Sequence, residues 1–102
     1  MSFTYRVHEE AQKEYEKAIK WYLKRSLNAA EGFIDAVDVA LKQACLYPTR
    51  WRNRYKHYYE LGLKKYPYVI IFSIDSEQKV ISVWKFYHNK RNPKKKYRGL
   101  NK

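Results

Sequence analysis

The stretch YVIIFSID, residues 68–75, decides the fold because it is apolar on both of its faces. A strand of this kind is typical of the middle of a sheet that is covered on both sides. Pro67 stands at its start, where a missing backbone N–H is tolerated. The stretch KVISVWKFYH, residues 79–88, follows after a short polar turn around Ser76 and Glu77. The two stretches together predict a β-hairpin.

Two amphipathic helices are predicted upstream of this hairpin. Across residues 9–25 apolar side chains recur at helical spacing, and charged residues occupy the opposite face. Asn28 is expected to cap a second helix, with Glu31 three residues later able to reach back to the cap. That helix should end near Leu46, because Pro48 disfavours helical geometry in the residue before it. Its expected buried stripe is Ala30, Phe33, Val37, Ala40, Leu41 and Ala44.

A short strand is predicted on each side of the helices. Phe3, Tyr5 and Val7 alternate with polar residues, which indicates a strand with one buried face. Another strand is expected around residues 58–64. Two helices with so short a link lie antiparallel and need a second layer to cover them. The sequence thus predicts an α+β fold of order β-α-α-β-β-β, in which an N-terminal strand and a two-helix antiparallel hairpin precede an antiparallel sheet of about three further strands.

The charge of the chain is strongly basic and unevenly distributed. The 102 residues match one domain, carry a net charge of +12 and end in a basic tail at about residues 89–102. Residues 1–40 hold six Lys and Arg against seven Asp and Glu, whereas residues 41–102 hold sixteen against three. This asymmetry indicates that the second half faces a polyanion or an acidic protein. The alternative is a merely soluble basic protein.

Several classes of protein are disfavoured by composition. The single cysteine, Cys45, falls on an apolar helical position and has no internal disulfide partner. No apolar run is long enough to span a bilayer, and the start MSFTYRVHEE lacks the blocks of a signal peptide, so we expect a cytoplasmic protein without membrane contact. The three histidines show no ligand spacing and there is no Gly-rich phosphate loop, so we expect neither a metal nor a cofactor.

A basic, aromatic loop follows the helices. It interleaves cations with rings that can stack, as expected where nucleic-acid bases or phosphates are held. The alternative is that the rings only cover a thin sheet. The residues of the loop are Arg50, Trp51, Arg52, Arg54, Tyr55, Lys56, His57, Tyr58 and Tyr59.

The C-terminal segment is the second candidate site. His88 ends the last predicted strand, and Tyr97 follows among the cations Lys90, Arg91, Lys94, Lys95, Lys96 and Arg98. Such a set could cleave a phosphodiester without a metal, with His88 or Tyr97 moving a proton and Arg91 stabilising the developing charge. The alternative hypothesis is that His88 anchors the tail through a backbone hydrogen bond and the lysines are solvated.

Five stretches in this order resemble the RelE/ParE superfamily of toxins from bacterial type II toxin-antitoxin modules. The stretches are FTYRV (3–7), EEAQKEYEKAIKWYLKRS (9–26), AAEGFIDAVDVALKQACLYP (29–48), KKYPYVIIF (64–72) and HNKRNPKKKY (88–97). The resemblance implies a helical hairpin packed on an antiparallel sheet, a cognate antitoxin as partner, a role in plasmid stabilisation, and growth inhibition when the toxin is free. Operator DNA would be contacted only through the antitoxin.

The resemblance leaves two targets open. RelE-like members cleave messenger RNA on the ribosome with basic residues and often a C-terminal tyrosine; those roles fall on Arg91, Tyr97 and, more loosely, Lys64 and Lys65. ParE-like members poison DNA gyrase and lack that catalytic set. A longer helical hairpin, the pair Trp21 and Tyr22, the stretch YPY (66–68) and His88 at the end of the last strand look ParE-like.

The leading hypothesis is therefore a ParE-like inhibitor of DNA gyrase rather than an enzyme. The second is a ribosome-dependent, metal-independent endoribonuclease, and the third is a basic binding module without toxicity. The expected catalytic candidates, if the chain is a ribonuclease, are Lys64, Lys65, His88, Arg91 and Tyr97. The expected residues for target or nucleic-acid binding are Arg50, Arg52, Arg54, Lys56, Lys90, Arg91, Lys94, Lys95 and Lys96.

Overall fold

A five-stranded sheet with two helices on one face forms the framework of the molecule. The structure is a computed structural model that describes residues 3–48, 50–51 and 53–100, with Arg54 described by its backbone alone. The elements are β1 (Thr4–Val7), α1 (Glu9–Leu23), α2 (Leu27–Leu46), β2 (Asn53–Tyr55), β3 (Tyr58–Gly62), β4 (Tyr68–Asp75) and β5 (Val80–His88), followed by a 3₁₀ turn at Pro93–Lys95.

The strand order in the sheet is β1-β5-β4-β3-β2. β1 runs parallel to β5, and the remaining neighbours are antiparallel. The hairpin of β4 and β5 contains a bulge, because Ile71 pairs with Lys85 and Phe72 pairs with Val83, which leaves Trp84 as the extra residue. The predicted α+β architecture is confirmed, with β4 at the centre of the sheet.

Both faces of the sheet are covered, as the sequence of β4 predicts. On one face the helices bury a core that includes Phe33, Ile70 and Phe72, all at 0 % exposure. On the other face Ile71 is buried in a second cluster whose cover includes Leu100, close to the C-terminus. A strand that is buried on both faces has no polar side, which explains the continuous apolar run.

The boundaries of the helical hairpin differ from the prediction. The cap of α2 is Ser26 rather than Asn28: its Oγ accepts the Ala29 backbone N–H at 3.0 Å. α1 correspondingly ends at Leu23, before the predicted Arg25. Both Ser and Asn are good caps, and Ser26 is the residue with the extended backbone that a cap requires. The predicted end of α2 at Leu46 is confirmed.

The edges of the sheet also differ from the prediction. Tyr5 was expected on a buried face, but its side chain is 43 % exposed because β1 is an edge strand. β3 ends at Gly62 rather than near Lys64. The predicted basic loop contains the additional short strand β2, where the Asn53 side-chain amide donates to the carbonyls of Lys56 at 2.6 Å and Tyr58 at 3.1 Å. These bonds close a tight turn that the hydrophobic pattern of the sequence does not predict.

Candidate functional site

Residues 92–100, which we call the C-terminal strap, lie across the face of the sheet opposite the helices. The Tyr87 hydroxyl donates a hydrogen bond to the Asn92 carbonyl, where the strap begins. At its other end Leu100 is 7 % exposed and packs in the cluster of Tyr58, Ile71 and Tyr87. The strap is therefore a packed part of the domain rather than a solvated tail.

Local hydrogen bonds explain why the strap turns. The Asn92 side chain accepts the Lys94 backbone N–H at 2.9 Å, and Pro93 occupies the first turn, where its missing N–H has no cost. The Leu100 N–H bonds to the Tyr97 carbonyl at 3.0 Å, and Gly99 between them has φ +85°, a conformation that glycine adopts easily. The strap thus returns its last apolar residue to the sheet.

A carboxylate on β3 holds the middle of the strap. Glu60 accepts a hydrogen bond from the Tyr97 hydroxyl and forms an ion pair with Lys96, at 3.4 Å from Nζ. The Tyr97 ring stacks on Tyr55 with centroids 4.5 Å apart. Sequence reasoning missed Glu60. The available signal was that Glu60 is one of only three acidic residues beyond residue 40.

The candidate catalytic residues are distributed over several places. Tyr97 is engaged with Glu60 on β3. His88 ends β5 as predicted, and its Nδ1 accepts the Lys90 backbone N–H at 3.0 Å, a local backbone hydrogen bond of the kind that the alternative hypothesis expects. The Arg91 guanidinium lies 4.9 Å from the centre of the Tyr87 ring. The structure brings His88 and Arg91 to one end of β5, whereas the Tyr97 hydroxyl is at β3, two strands away.

A half-buried charged cluster lies beside the same end of β5. Glu14 on α1 accepts the Phe86 backbone N–H at 2.9 Å, beyond the last residue pair of β1 and β5. Burial raises the pKa of this carboxyl, although the positive charges of Lys85 and Arg91 lower it in part. Burial lowers the pKa of Lys85, whose Nζ lies 3.5 Å from the Lys95 carbonyl. The cluster therefore links α1, β5 and the strap.

A groove of about 780 Å³ lies between α2 and the β3–β4 turn. Its walls are largely apolar, and Arg50, Lys64 and Lys65 contribute cations to it. The indole Nε1 of Trp51, which also lines the groove, is buried and has no hydrogen-bond partner in the part of the chain that the structure describes. Lys64 and Lys65, the looser catalytic candidates, thus belong to this groove.

The predicted binding cations fall into two groups. Lys90, Arg91, Lys94 and Lys95 are exposed in or next to the strap, whereas Lys96 is half-buried against Glu60. In the basic loop, the Arg50 guanidinium lies 5.7 Å from the rings of both Tyr47 and Trp51, and Lys56 Nζ lies 5.4 Å from the Tyr55 ring. Arg52 and the side chain of Arg54 lie outside the described residues.

The described residues offer neither a metal-binding cluster nor a membrane-spanning helix. Within residues 3–48, 50–51 and 53–100, no three His, Cys, Asp or Glu side chains come together as metal ligands. Over the same ranges, neither helix has the length and apolarity needed to cross a bilayer. Cys45 is buried, and burial raises the pKa of its thiol, as expected of a small core residue.

The fold is similar to those of three toxin-antitoxin structures. The RelBE2 complex of Mycobacterium tuberculosis aligns with TM-score 0.62 at 14 % identity, covering 86 % of this chain and 99 % of that one. The chromosomal ParDE system of P. aeruginosa aligns with TM-score 0.58 at 14 % identity, covering 84 % and 95 %. The archaeal RelE-RelB complex of Pyrococcus horikoshii OT3 aligns with TM-score 0.54 at 18 % identity, covering 90 % and 100 %. At sequence identities this low, the alignments show a shared fold and nothing further.

The sequence itself carries the family signal. A comparison with curated protein sequences gave no match. The family model for the ParE toxin of the type II toxin-antitoxin system parDE matches residues 5–93, which span both helices and all five strands of the sheet apart from the first residue of β1. The chain therefore belongs to the ParE toxin family of type II toxin-antitoxin systems.

Proposed function

We propose that the free protein inhibits growth by a ParE-like action on DNA gyrase, and that it does so as a binding protein rather than as an enzyme. The observation that carries this proposal is the contact between Tyr97 and Glu60. A catalytic phenol has to reach the reacting phosphate, but Tyr97 is stacked on Tyr55 and its hydroxyl donates a hydrogen bond to the Glu60 carboxylate on the sheet. This favours a structural role for the tyrosine.

The exposed cations are the second support for a binding role. Lys90, Lys94 and Lys95 are exposed on and beside a packed strap, so they present positive charge from a fixed backbone. Charges held in this way favour encounter with a partner of opposite charge. Gyrase is the target suggested by the family, and the cations of the strap are the contact surface that we propose for it.

An antitoxin is the second partner that we propose. The groove beside α2 has largely apolar walls, cations at Arg50, Lys64 and Lys65, and the Trp51 indole N–H, which has no hydrogen-bond partner among the described residues. An acidic, amphipathic segment complements all three features, since its carboxylates or carbonyls can face the cations and accept the indole hydrogen bond. Two of the similar solved structures are described as complexes, the toxin-antitoxin complex RelBE2 and the RelE-RelB complex.

Ribonuclease activity is the alternative function. The observation in its favour is that His88 and Arg91 share one end of β5 with the half-buried Lys85. An imidazole and two cations can move a proton and stabilise a phosphorane-like charge. In this alternative Tyr97 would have to leave Glu60 before it could take part.

Purified components test the proposal. We expect the wild-type chain to inhibit supercoiling by gyrase from its host and to leave messages on translating ribosomes intact. Replacing Lys94 and Lys95 together by Ala should weaken the inhibition, whereas Glu77→Gln, in the β4–β5 turn, should not. Gyrase that works normally with an excess of correctly folded protein would contradict the proposal, and message cleavage would establish the alternative.

A further inference from the structure

Glu60 lies in the basic half of the chain and is the acidic residue there that contacts the strap. Of the other two acidic residues beyond residue 40, Asp75 ends β4 and Glu77 lies in the turn that follows. The Glu60 side chain is 12 % exposed and that of Lys96 is 22 % exposed. A carboxylate is rarely so far buried unless it is paired, and removing one partner of such a pair is costly.

The register of the sheet shows how this carboxylate acts on the strap. Glu60, Ile71 and Lys85 are neighbours across β3, β4 and β5. Lys85 Nζ reaches the carbonyl of Lys95 at 3.5 Å, and the next residue, Lys96, reaches Glu60. The strap therefore crosses the central strand above the buried Ile71, with one contact on β5 and another on β3.

The middle of the strap also packs through the Tyr97 ring, which stacks on Tyr55. The backbone hydrogen bonds of the strap are short-range turns, such as Lys95 N–H to Asn92 and Arg98 N–H to Lys95, and Lys94 is exposed. Turns of this kind open easily when side chains do not fix them. The Glu60 contacts join a carboxylate to Lys96 and Tyr97, and hydrogen bonds to charged groups are stronger than neutral ones.

We propose that Glu60 is the positioning residue of the target-binding surface. Its carboxylate clamps Lys96 and Tyr97, and this fixes the backbone that presents Lys94 and Lys95 to the protein target. A fixed strap binds better than a mobile one because the cost of ordering it is met during folding. The functional half of this inference rests on the proposed function, whereas the clamp itself does not.

Hydrogen exchange of the strap amides tests the clamp. In Glu60→Gln the shape of the side chain is kept and its charge is lost. We expect the N–H groups of Lys95, Lys96, Arg98 and Leu100, which bond within the strap, to exchange at least about tenfold faster. The amides of β4 should keep their wild-type protection, which shows that the domain is folded. Glu77→Gln is the matched control, and its strap should exchange at the wild-type rate.

A double-mutant cycle shows whether the contact is direct. Tyr97→Phe removes the other side of the same hydrogen bond, so combining it with Glu60→Gln should accelerate exchange clearly less than the product of the two single effects. Unchanged strap exchange in Glu60→Gln, or fully multiplicative effects in the cycle, would overturn the clamp.

The growth assay tests positioning. At a temperature where β4 stays protected, Glu60→Gln should lower growth inhibition about as far as the combined Lys94→Ala and Lys95→Ala change does. A loosened strap with undiminished inhibition would show that Glu60 is only structural and would overturn the positioning role. If the wild-type chain does not inhibit growth, the proposed function fails, while the exchange experiment still decides the clamp.

Discussion

The imidazole of His8 lies flat against the indole of Trp84, with ring centroids 3.6 Å apart and planes 16° from parallel. Trp84 is the bulged residue of β5, and its Nε1 donates to the Ser73 hydroxyl at 2.8 Å. The His8 Nε2 is buried and has no hydrogen-bond partner among residues 3–48, 50–51 and 53–100. A proton at Nε2 would therefore place a charge where nothing described accepts its hydrogen bond.

This contact predicts a loss of stability in mild acid. Burial, and then the positive charge of Arg6, lower the pKa of His8 from its ordinary value. As the pH falls through about 6.5, the unfolded chain binds a proton that the folded chain resists, so the free energy of unfolding decreases until the lower folded pKa is passed. His8→Phe keeps a stacked ring without the titration. Its denaturant midpoint should fall less than that of the wild type between about pH 7.5 and pH 5.5. An equal fall in both proteins would show that His8 does not cause the loss of stability.

Gly32 marks a close approach between α2 and the β3–β4 turn. A Cβ added there would lie 2.5 Å from the Tyr66 hydroxyl oxygen, while the Tyr66 ring packs edge-on against Tyr22 and Phe33. Gly32→Ala gains about 1 kcal/mol of helix propensity, but overpacking costs about 1–3 kcal/mol, so we expect a net loss in thermal unfolding. Adding Tyr66→Phe removes the obstructing oxygen and should recover stability. A stabilised single variant would contradict this packing.

Removing the charge of Glu14 and removing its acceptor oxygen should affect stability differently. Burial raises the pKa of Glu14, so the free energy of unfolding decreases as the pH rises from about 4.5 to the higher folded pKa. Glu14→Gln keeps an acceptor for the Phe86 N–H and should be close to the wild type at neutral pH. Glu14→Ala leaves that amide unpaired, which costs about 1–3 kcal/mol. Chemical denaturation of both variants is the measurement, and similar losses would show that the hydrogen bond is unimportant.

Variants of the C-terminal cations separate the two proposed functions. In the gyrase proposal, combined loss of Lys94 and Lys95 lowers growth inhibition gradually, with a change in stability within about 0.5 kcal/mol because both side chains are exposed. In the ribonuclease alternative, Arg91→Ala alone abolishes inhibition, since a lost transition-state contact costs about 3 kcal/mol or more. Growth curves at matched expression distinguish the two functions. An Arg91→Ala protein that keeps its fold but no longer inhibits growth, while the combined Lys94 and Lys95 variant remains fully inhibitory, would contradict the gyrase proposal.

The sequence predicts the strands and helices well where burial is periodic. The middle of the run at residues 68–75 is buried on both faces, and the stripe of α2 that includes Phe33 and Val37 is in the core. Ser26 and Asn28 compete as caps two residues apart, and composition alone does not choose between them. The choice depends on backbone geometry, which only the structure provides.

The candidate site was predicted less completely because its contacts are distant in sequence. His88 and Arg91 were named as candidates because His88 ends a clear strand and Arg91 follows it closely. Glu60 was missed because its partners, Lys96 and Tyr97, lie 36 and 37 residues further along the chain. The burial of Leu100 has no periodic signal, since one apolar residue after a run of lysines resembles a solvated tail.

The measurement that tests the proposed target most directly is parallel sequencing of RNA ends and DNA breaks in cells that express the free toxin. The gyrase proposal predicts DNA breaks at gyrase sites, relieved by co-expression of the antitoxin, with messages that remain intact. Ribosome-dependent cuts within translated messages, together with undamaged DNA, would contradict it and would make this chain a ribonuclease.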